Sequence, residues 1–389
     1  MQDNTRCAGT LLHMDIYKKA LQLHKENKGK ITTALRGEVN ADTLKLFYSP
    51  GVAEASRYAV DSPTKLKEVS WTNNLVAVVS DGSAVLGLGD IGPQGAMPVM
   101  EGKSLLFKHF AGIDSVPIVL DVHSADEIVA AVKAIAPSFG GINLEDIAAP
   151  KCFEIEERLK NELDIPVMHD DQHGTAIVVL AGLINAVKIT GNASIQDSRI
   201  VVAGAGAAGT AIANLLSLYG AQDLVMLDSK GIIGPARTDL NDEKKKLLRY
   251  NTNERDGSLE DALAGADVFI GVSKAGLLTP QLVELMGDDP IIFALANPDP
   301  EILPDVAIKA GAKVVATGRS DYPNQINNVL GFPGIFRGAL DNGVTKITDD
   351  HKIAAAEALA QLVTDPTPNK IIPGPFDPGV MEAVAQVIT

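Results

Sequence analysis

Cysteine is scarce in this chain, whose 389 residues include only Cys7 and Cys152. Two thiols cannot build a disulfide framework, so we expect a reducing compartment and a cytoplasmic location. Positive charge is also in short supply, because 34 lysines and arginines face 49 acidic residues and give a net charge of −15. This balance argues against nucleic acid and an anionic membrane surface as main partners, and we expect neither. An anionic small-molecule substrate would need a few local cations or a metal ion.

Long hydrophobic runs are missing as well. No uncharged apolar stretch approaches the roughly 20 residues that span a bilayer, so we expect no membrane segment. The first residues include Asp3 and Arg6 without a long apolar run, so we expect no signal peptide. The chain is 46% hydrophobic and 21% charged, which is typical of a globular protein, and its length of 389 residues suggests two or three domains.

Short apolar runs alternate with helical patterns in the first part of the chain. This order predicts a parallel sheet with right-handed crossovers, and therefore an α/β domain over residues 1–175. The carboxyl ends of parallel strands meet at one edge of a sheet, which is where ligands bind in such folds. Six acidic residues follow the predicted strands and should lie at that edge: Asp81, Asp121, Glu145, Asp146, Asp170 and Asp171.

A glycine-rich turn organises the second part of the chain. The apolar run at 199–203 leads into Gly204, Gly206 and Gly209, a helical pattern follows, and the next apolar run ends at Asp228. This is the order of a dinucleotide-binding βαβ unit, with a cofactor pyrophosphate at the helix N-terminus. We expect the cofactor to contact Gly204, Ala205, Gly206, Ala207, Ala208, Gly209 and Asp228. The alternative is a glycine turn that only packs a helix on a sheet.

We therefore predict two α/β domains with largely parallel sheets, the second a Rossmann-type dinucleotide-binding domain over residues 176–340. Helical patterns at 354–363 and 380–387 define a C-terminal helical segment, 341–389, which we expect to pack back on the N-terminal domain. The charge-rich stretch 241–256 is expected to be a solvated helix and loop and not a binding site.

Three of the strand-end acids, Glu145, Asp146 and Asp171, form a candidate metal site. Mg²⁺ and Mn²⁺ prefer carboxylate oxygens, and His169 and His173 lack the thiolate or third histidine that zinc would need. The alternative is that these carboxylates only cap the helices that follow them, as Asp170 or Asp171 could do.

Lys103 and Tyr48 are candidates for proton transfer. Lys103 follows a glycine-rich loop at the predicted start of a helix, where the positive end of the dipole would lower its pKa towards that of a base. Tyr48 precedes the rigid turn Ser49-Pro50-Gly51 and could be a proton donor. The alternatives are a solvated lysine and a tyrosine that only packs.

Seven motifs occur in order over about residues 30–340: Tyr48-Ser-Pro-Gly-Val-Ala53, Ser80-Asp-Gly-Ser-Ala-Val-Leu-Gly-Leu-Gly-Asp-Ile-Gly92, Glu101-Gly-Lys103, Leu144-Glu-Asp146, His169-Asp-Asp-Gln-His-Gly-Thr175, Phe293-Ala-Leu-Ala-Asn-Pro298 and Asn327-Asn-Val-Leu-Gly-Phe-Pro-Gly334. Together they make the chain similar to the malic enzyme family in its short bacterial form. In the longer form of that family an arginine follows Asp-Gly-x, whereas this chain has Ala84 there.

The resemblance implies oxidative decarboxylation of malate to pyruvate and CO₂ with a nicotinamide cofactor, with oxaloacetate decarboxylation as a partial reaction. Lys103 would take the hydroxyl proton, Tyr48 would protonate C3 of the enolate, and Asp170 would orient Lys103 or a metal-bound water. Asn297 and Asn328 would hold the substrate carboxylate and the nicotinamide ribose, with Asn327 beside them. Two alternatives stay open: a malolactic-type enzyme that keeps its NAD bound and releases lactate, and a non-catalytic nucleotide sensor.

The choice of cofactor depends on the residues at the end of the second strand. Asp228 can accept hydrogen bonds from a ribose 2′-OH and would repel a 2′-phosphate, which favours NAD. Lys230 follows closely and could pair with a 2′-phosphate, so we also expect measurable use of NADP. As partners we expect the small-molecule substrate and further copies of this chain, in a homodimer or a higher homo-oligomer.

Overall fold

The computed structural model describes residues 16, 18–27, 29–85, 88–191 and 194–389. Cys7 lies outside the described residues. Two sheets made of ten strands form the framework of this part of the chain. The strands are β1 Leu75–Ser80, β2 Asp114–Val119, β3 Gly141–Leu144, β4 Val167–His169, β5 Arg199–Ala203, β6 Asp223–Asp228, β7 Gly231–Ile232, β8 Val268–Gly271, β9 Ile291–Ala294 and β10 Val314–Thr317.

The first sheet is entirely parallel and has the strand order β2-β1-β3-β4. Side chains of β1 alternate between two apolar clusters: Val76 and Val78 pack on one face, and Leu75, Ala77 and Val79 pack on the other. A strand buried on both faces reads as a continuous apolar run, as the residues before Ser80 do.

The second sheet has the order β10-β9-β8-β5-β6-β7, and only the short strand β7 is antiparallel. β5 lies between β6 and β8, so the strand order reverses direction beside β5. The glycine-rich turn follows β5 and therefore lies at the topological switch point, where doubly wound sheets bind their ligands. The prediction of two α/β domains with largely parallel sheets, the second of Rossmann type, is confirmed.

The helices lie between and around these strands. Most begin at a side-chain cap or a proline, as Ser124 caps one helix in a capping box with Glu127. The α-helices are Ala41–Phe47, Val52–Val60, Pro63–Val69, Gly92–Ala111, Ala125–Ile135, Lys151–Glu162, Asp170–Thr190, Ala207–Leu218, Asp242–Leu247, Leu259–Leu263, Pro280–Val283, Pro304–Lys309, Phe332–Asn342, Asp349–Gln361 and Val380–Gln386.

One long helix, Asp170–Thr190, connects the two sheets. By length and composition it could cross a membrane, which the sequence reading did not anticipate, but 67% of its apolar window is buried inside the protein. Its side chains, with Val76 and Val78 from β1 and Ile200 and Val202 from β5, belong to one apolar cluster. The helix therefore supplies a core common to both sheets and fixes the distance between their edges.

The C-terminal helices pack on elements from both parts of the chain. Asp349–Gln361 packs against Asp170–Thr190, and Val380–Gln386 packs against Phe332–Asn342, which in turn contacts Gly92–Ala111. Helix Asp170–Thr190 continues without a break across the predicted boundary at residues 175 and 176. The domain limits given above stay predictions.

Candidate active site

A cleft of about 1000 Å³ lies where the carboxyl ends of both sheets face each other. Its wall includes Lys103, Glu145 and Asp171 from the first sheet and its helices, and Gly206 and Asn297 from the second. The cleft thus joins the two groups of residues that the sequence analysis had found far apart.

Lys103 lies in the middle of helix Gly92–Ala111 and not at a helix start, so that prediction is wrong. Gly92 and Gly95, which suggested a loop, belong to the first turns of this helix. A helix dipole acts only within its first turn, so it cannot lower the pKa of Lys103. The Nζ atom instead lies 2.6 Å from Oδ2 of Asp170 and 2.8 Å from Oε1 of Glu145.

These two carboxylates control the protonation of the lysine. Burial acts to lower the pKa of Lys103, but Asp170 and Glu145 outweigh it and hold the pKa well above its ordinary value. Burial also raises the pKa of Glu145 well above its usual range and raises that of Asp170 to about 6. A single ammonium therefore faces more carboxylate charge than it can neutralise.

Glu145, Asp146 and Asp171 come together, with one oxygen from each within 4.8 Å of the others. Asp146 has a φ of 54°, and this left-handed turn lets its backbone N–H donate to Oδ2 of Asp171 at 2.7 Å. The residues fit a hard divalent cation, because three carboxylates supply only oxygen and one lysine offsets only part of their charge.

Asp170 is buried, and the position of its carboxylate depends on the absence of a side chain at Gly174. A Cβ at Gly174 would lie 1.9 Å from Oδ1 of Asp170, so a side chain there would displace the carboxylate from Lys103. Oδ1 has no hydrogen-bond partner among the described residues, although Oδ2 binds Lys103. A buried carboxylate oxygen without a partner, at the edge of the candidate metal site, favours a water or ligand atom in the cleft.

Glu156 supports this segment, and sequence reasoning missed it. Its Oε1 accepts a hydrogen bond from the backbone N–H of His169 at 3.0 Å, and its Oε2 lies 2.8 Å from Nε2 of His173. His169 in turn lies 3.0 Å from Oδ2 of Asp171. The available signal was an acidic residue on the apolar face of helix Lys151–Glu162, next to Ile155.

The glycine-rich turn has the geometry that each glycine predicts. Gly204 has a φ of 130°, and a Cβ at Gly209 would lie 1.8 Å from the carbonyl oxygen of Gly204. Gly206 instead has no atom within 4 Å of the Cβ position, so this backbone is open to a ligand. The helix begins at Ala207, and Gly206, Ala207 and Ala208 line the cleft. The turn thus fits a cofactor pyrophosphate.

Asp228 ends β6 but does not line the cleft, and it is already bonded within the protein. Arg237 donates to both carboxylate oxygens at 3.1 and 3.2 Å, and Nζ of Lys244 donates to Oδ2 at 2.5 Å. Burial acts to raise the pKa of Asp228, but these cations outweigh it and lower the pKa to about 2. The sequence analysis had named Lys230 here and had missed Lys244, which contacts Asp228 directly.

The three predicted asparagines, Asn297, Asn327 and Asn328, all line the cleft. Asn327 uses its side-chain oxygen to accept the backbone N–H of Val329 at 3.0 Å, so it shapes the local turn. Buried Glu301 accepts the backbone N–H groups of Ser273 and Ala296, each at 3.0 Å. It holds two cleft-lining loops together and is a further residue that the sequence did not reveal.

Tyr48 is placed away from this cleft. Its side chain is 68% exposed, and it does not belong to the described residues that line the cleft. Ala84 does line the cleft and donates its backbone N–H to the carbonyl of Asp146 at 3.0 Å. Lys30, which the sequence analysis did not single out, lies in the same wall.

The fold and the cleft define a class: a two-sheet α/β dinucleotide-binding protein with a lysine–carboxylate centre beside the glycine-rich turn. The family model for the malic enzyme N-terminal domain matches residues 24–160, and that for the malic enzyme NAD-binding domain matches residues 172–377. The chain belongs to the malic enzyme family.

Individual relatives agree with this assignment. The chain is 55% identical to the bifunctional malic/malolactic enzyme of Bacillus subtilis, over 96% of this chain and 92% of that protein. It is 48% identical to the NADP-dependent malic enzyme of Halomonas elongata, over 95% and 92%. The crystal structure of the NAD-dependent malic enzyme of Thermotoga maritima superposes with a TM-score of 0.92, at 50% identity, over 95% of this chain and 98% of that one.

Proposed function

We propose that the chain oxidises malate and decarboxylates it to pyruvate and CO₂, with NAD or NADP as hydride acceptor. One observation carries the proposal: the centre formed by Lys103, Asp170 and Glu145 opens into the same cleft as the turn at Gly206. Family membership supports it. Oxaloacetate decarboxylation is expected as a partial reaction.

Glu145, Asp146 and Asp171 would hold the cation, Mg²⁺ or Mn²⁺. When bound, the cation supplies a Lewis acid for substrate oxygens and offsets the carboxylate charge. Asp146 and Asp171 are fixed relative to each other by the hydrogen bond between them, at 2.7 Å. Glu145 is oriented by Asn143, which donates to its Oε2 at 2.8 Å. The protein thus presents the three carboxylates in one arrangement before any ligand arrives.

Lys103 would take the proton from the 2-hydroxyl of malate as hydride leaves C2. Its high pKa depends on both Asp170 and Glu145, so loss of the Glu145 contact would lower the pKa of the lysine towards that of a base. Asp170 keeps its 2.6 Å contact and orients the amine. Phe332 closes one side, with its ring centre 4.3 Å from Nζ, and limits the access of water.

Malate carries two carboxylates, and Ala84 cannot pair with either of them as an arginine at this position could. Lys30 lies in the wall of the cleft, and its Nζ donates to the carbonyl of Pro98 at 2.5 Å. An ammonium has three donors, so Lys30 is suited to hold a substrate carboxylate. Asn297 and Asn328 would hold the other polar groups of substrate and nicotinamide ribose.

Tyr48 would protonate C3 of the enolate only in an assembled protein, and we expect a homodimer or a higher homo-oligomer. The helices Ala41–Phe47, Val52–Val60 and Pro63–Val69 bury no residue within one chain. An apolar surface of this kind favours a protein partner, and a second copy would also bring a Tyr48 of its own. The side chains of this region that are more than half exposed are Leu35, Val39, Leu44, Leu46, Phe47, Tyr48 and Val60.

Mixing two inactive variants tests the role of Tyr48. If Tyr48 serves the Lys103 of another copy, Tyr48→Phe and Lys103→Ala subunits should regain activity when they are denatured and refolded together. The control is each variant refolded alone, which should stay inactive for malate turnover. Mixed oligomers without any regained activity would contradict the proposal that the tyrosine acts between copies.

The activity itself is tested with malate, Mn²⁺ and either NAD or NADP, by following the absorbance of reduced nicotinamide and the appearance of pyruvate. The Bacillus subtilis relative, named a malic/malolactic enzyme, makes lactate release the second candidate. Formation of lactate without net production of reduced nicotinamide would favour the malolactic reaction. If neither pyruvate nor lactate forms, the remaining candidate is a non-catalytic nucleotide-binding sensor. Scarce cysteine supports the cytoplasm as the location.

A further inference from the structure

The segment 169–173 carries both Asp170 and Asp171, and one buried side chain holds its two ends. Glu156, which is 6% exposed, accepts the backbone N–H of His169 with Oε1 at 3.0 Å. Its Oε2 lies 2.8 Å from Nε2 of His173. His169 is the last residue of β4, and His173 lies in the first turn of the helix that follows. The carboxylate of Glu156 therefore spans the junction between strand and helix.

The junction depends on support from outside it. Strand β4 has only three residues, and the side chain of His169, the N-cap residue of helix Asp170–Thr190, makes no capping hydrogen bond. The first N–H groups of a helix have no partners within the helix, so an uncapped first turn is held mainly by its neighbours. Glu156 supplies two such contacts from helix Lys151–Glu162.

The position of this first turn determines the contacts of two carboxylates in the cleft. Oδ2 of Asp170 accepts Nζ of Lys103 at 2.6 Å, and Oδ2 of Asp171 accepts the backbone N–H of Asp146 at 2.7 Å. Nε2 of His169 lies 3.0 Å from the same oxygen of Asp171. A carboxylate that binds a metal ion keeps its affinity through the outer groups that fix its orientation. Movement of the segment would therefore disturb Asp171 first.

Positive charges from other elements keep Glu156 ionised although it is buried. Burial acts to raise its pKa, but His173, Lys160 and Lys352 outweigh it and hold the pKa well below its ordinary value. Lys352 is 3% exposed and belongs to the C-terminal helix Asp349–Gln361, which packs on the helix that follows β4. The C-terminal segment thus contributes a charge to this support as well as packing.

We propose that Glu156 is a positioning residue for the divalent-cation site, because it holds both ends of the segment 169–173 and so fixes the carboxylate of Asp171. Glu156 lies outside the set of described residues that line the cleft, so it acts through the segment and not on the substrate. This inference rests on the proposed cation-dependent function and adds a residue to the support of the same site.

Binding of Mn²⁺ to the full-length protein, titrated by calorimetry without substrate, tests the inference. Glu156→Ala should weaken Mn²⁺ binding by about 10–100-fold, the usual effect of removing an outer partner of a metal ligand. Glu156→Gln should restore most of this loss, because an amide can accept the N–H of His169 and donate to an unprotonated Nε2 of His173. Glu156→Asp should not restore it, because a carboxylate that is one methylene shorter cannot reach both groups.

Two controls separate positioning from a general loss of structure. Glu154→Ala removes an exposed acid of the same helix, which pairs with Arg158 at 2.9 Å, and should leave Mn²⁺ binding unchanged. Binding of ADP-ribose at the glycine-rich turn should be unchanged in every variant, because the turn belongs to the other sheet.

Several outcomes would overturn the inference. They are unchanged Mn²⁺ affinity in Glu156→Ala, equal loss of Mn²⁺ and ADP-ribose binding, or a glutamine variant that binds Mn²⁺ as weakly as the alanine variant. If the alanine variant does not fold, Glu156→Asp takes its place, and unchanged Mn²⁺ binding there would also overturn it. Failure of malate turnover with intact Mn²⁺ binding would defeat the proposed reaction alone, whereas a parent protein that binds no Mn²⁺ would defeat both the cation site and this inference.

Discussion

The two sheet edges that face each other across the cleft differ in the atoms that they offer to a ligand. The first edge brings together charged side chains from three separate segments: Lys103, Glu145 with Asp146, and Asp170 with Asp171. The second edge presents main-chain atoms of one turn, between Gly204 and Gly209. In the proposed function the first edge would hold a cation and move a proton, and the second would position the cofactor.

The two edges also differ in their charge balance. Burial raises the pKa of Glu145, and raises that of Asp170 to about 6, because Lys103 does not neutralise the whole set. The pKa of Asp228, near the second edge, is lowered to about 2 because Arg237 and Lys244 reach it. The first edge therefore has more acidic groups than cations, whereas the acid near the second edge is already paired with two cations.

Among the variants that test the difference between the two edges, the replacement of Lys103 should have the largest effect on activity. Lys103→Ala should lower kcat for malate oxidation and for oxaloacetate reduction by about 10²–10⁴-fold, the usual contribution of a general base. Binding of ADP-ribose at the second edge should persist. The matched control, Lys108→Ala, removes an exposed lysine of the same helix that pairs with Asp114. A wild-type rate in Lys103→Ala would disprove the assignment.

Metal binding at the first edge should stabilise the folded protein. Mn²⁺ at about 100 times its Kd should stabilise the fold by about 2.7 kcal/mol, and EDTA should reverse the effect. Asp171→Asn should lose this rise in Tm and also the Mn²⁺-dependent turnover, because it removes one carboxylate ligand. The comparison variant is Asp121→Asn, at the end of another strand of the same sheet. An unchanged rise in Tm in Asp171→Asn would rule this residue out as a ligand.

Substitution of two glycines at the second edge should affect different properties, thermal stability at one position and ligand binding at the other. Gly209→Ala should cost about 1–3 kcal/mol and lower Tm, because its Cβ would lie 1.8 Å from the carbonyl oxygen of Gly204. Gly206→Ala should leave Tm unchanged, because nothing lies within 4 Å of its Cβ, yet weaken ADP-ribose binding by filling that space. Thermal melts and calorimetry measure the two effects. Identical behaviour of both variants would refute the distinction.

The smallest effect should be a dependence of stability on pH at Asp228. Its pKa falls from 3.8 to about 2 on folding, so its contribution is complete above about pH 4 and is lost as pH falls towards 2. With solvent screening this contribution is about 1–2 kcal/mol. Asp228→Asn should therefore lower Tm at pH 7, and the difference from the parent should shrink below pH 4. A constant difference at every pH would show that the ion pairs do not stabilise the fold.

Local patterns were enough to predict the glycine-rich turn and the strands on either side of it. An apolar run that is buried on both faces of a sheet is visible in sequence, as at Leu75–Ser80, and the glycines at 204, 206 and 209 act on atoms within the same turn. Family motifs located the candidate site residues, and the structure brings Lys103, Glu145, Asp171 and Asn297 into one cleft. Their roles stay predictions.

The limits of the helices were harder to predict from the sequence. Glycines at 92 and 95 suggested a loop before Lys103, but they begin a 20-residue helix that packs on β2. Tertiary packing outweighed the weak helix propensity of glycine there. The same error produced the wrong expectation for the pKa of Lys103, because a mid-helix lysine responds to its carboxylate neighbours and not to a helix end.

The sequence by itself determined the two α/β sheets, the dinucleotide turn and the acidic strand ends, since each depends on residues close together in the chain. Only the tertiary structure decided that Asp170 reaches Lys103, that Glu156 holds His169, that Lys244 joins Asp228, and that Tyr48 lies outside the cleft. The first pair is 67 residues apart. Such contacts form when crossovers bring distant segments to one sheet edge, and no local pattern records which charges then meet.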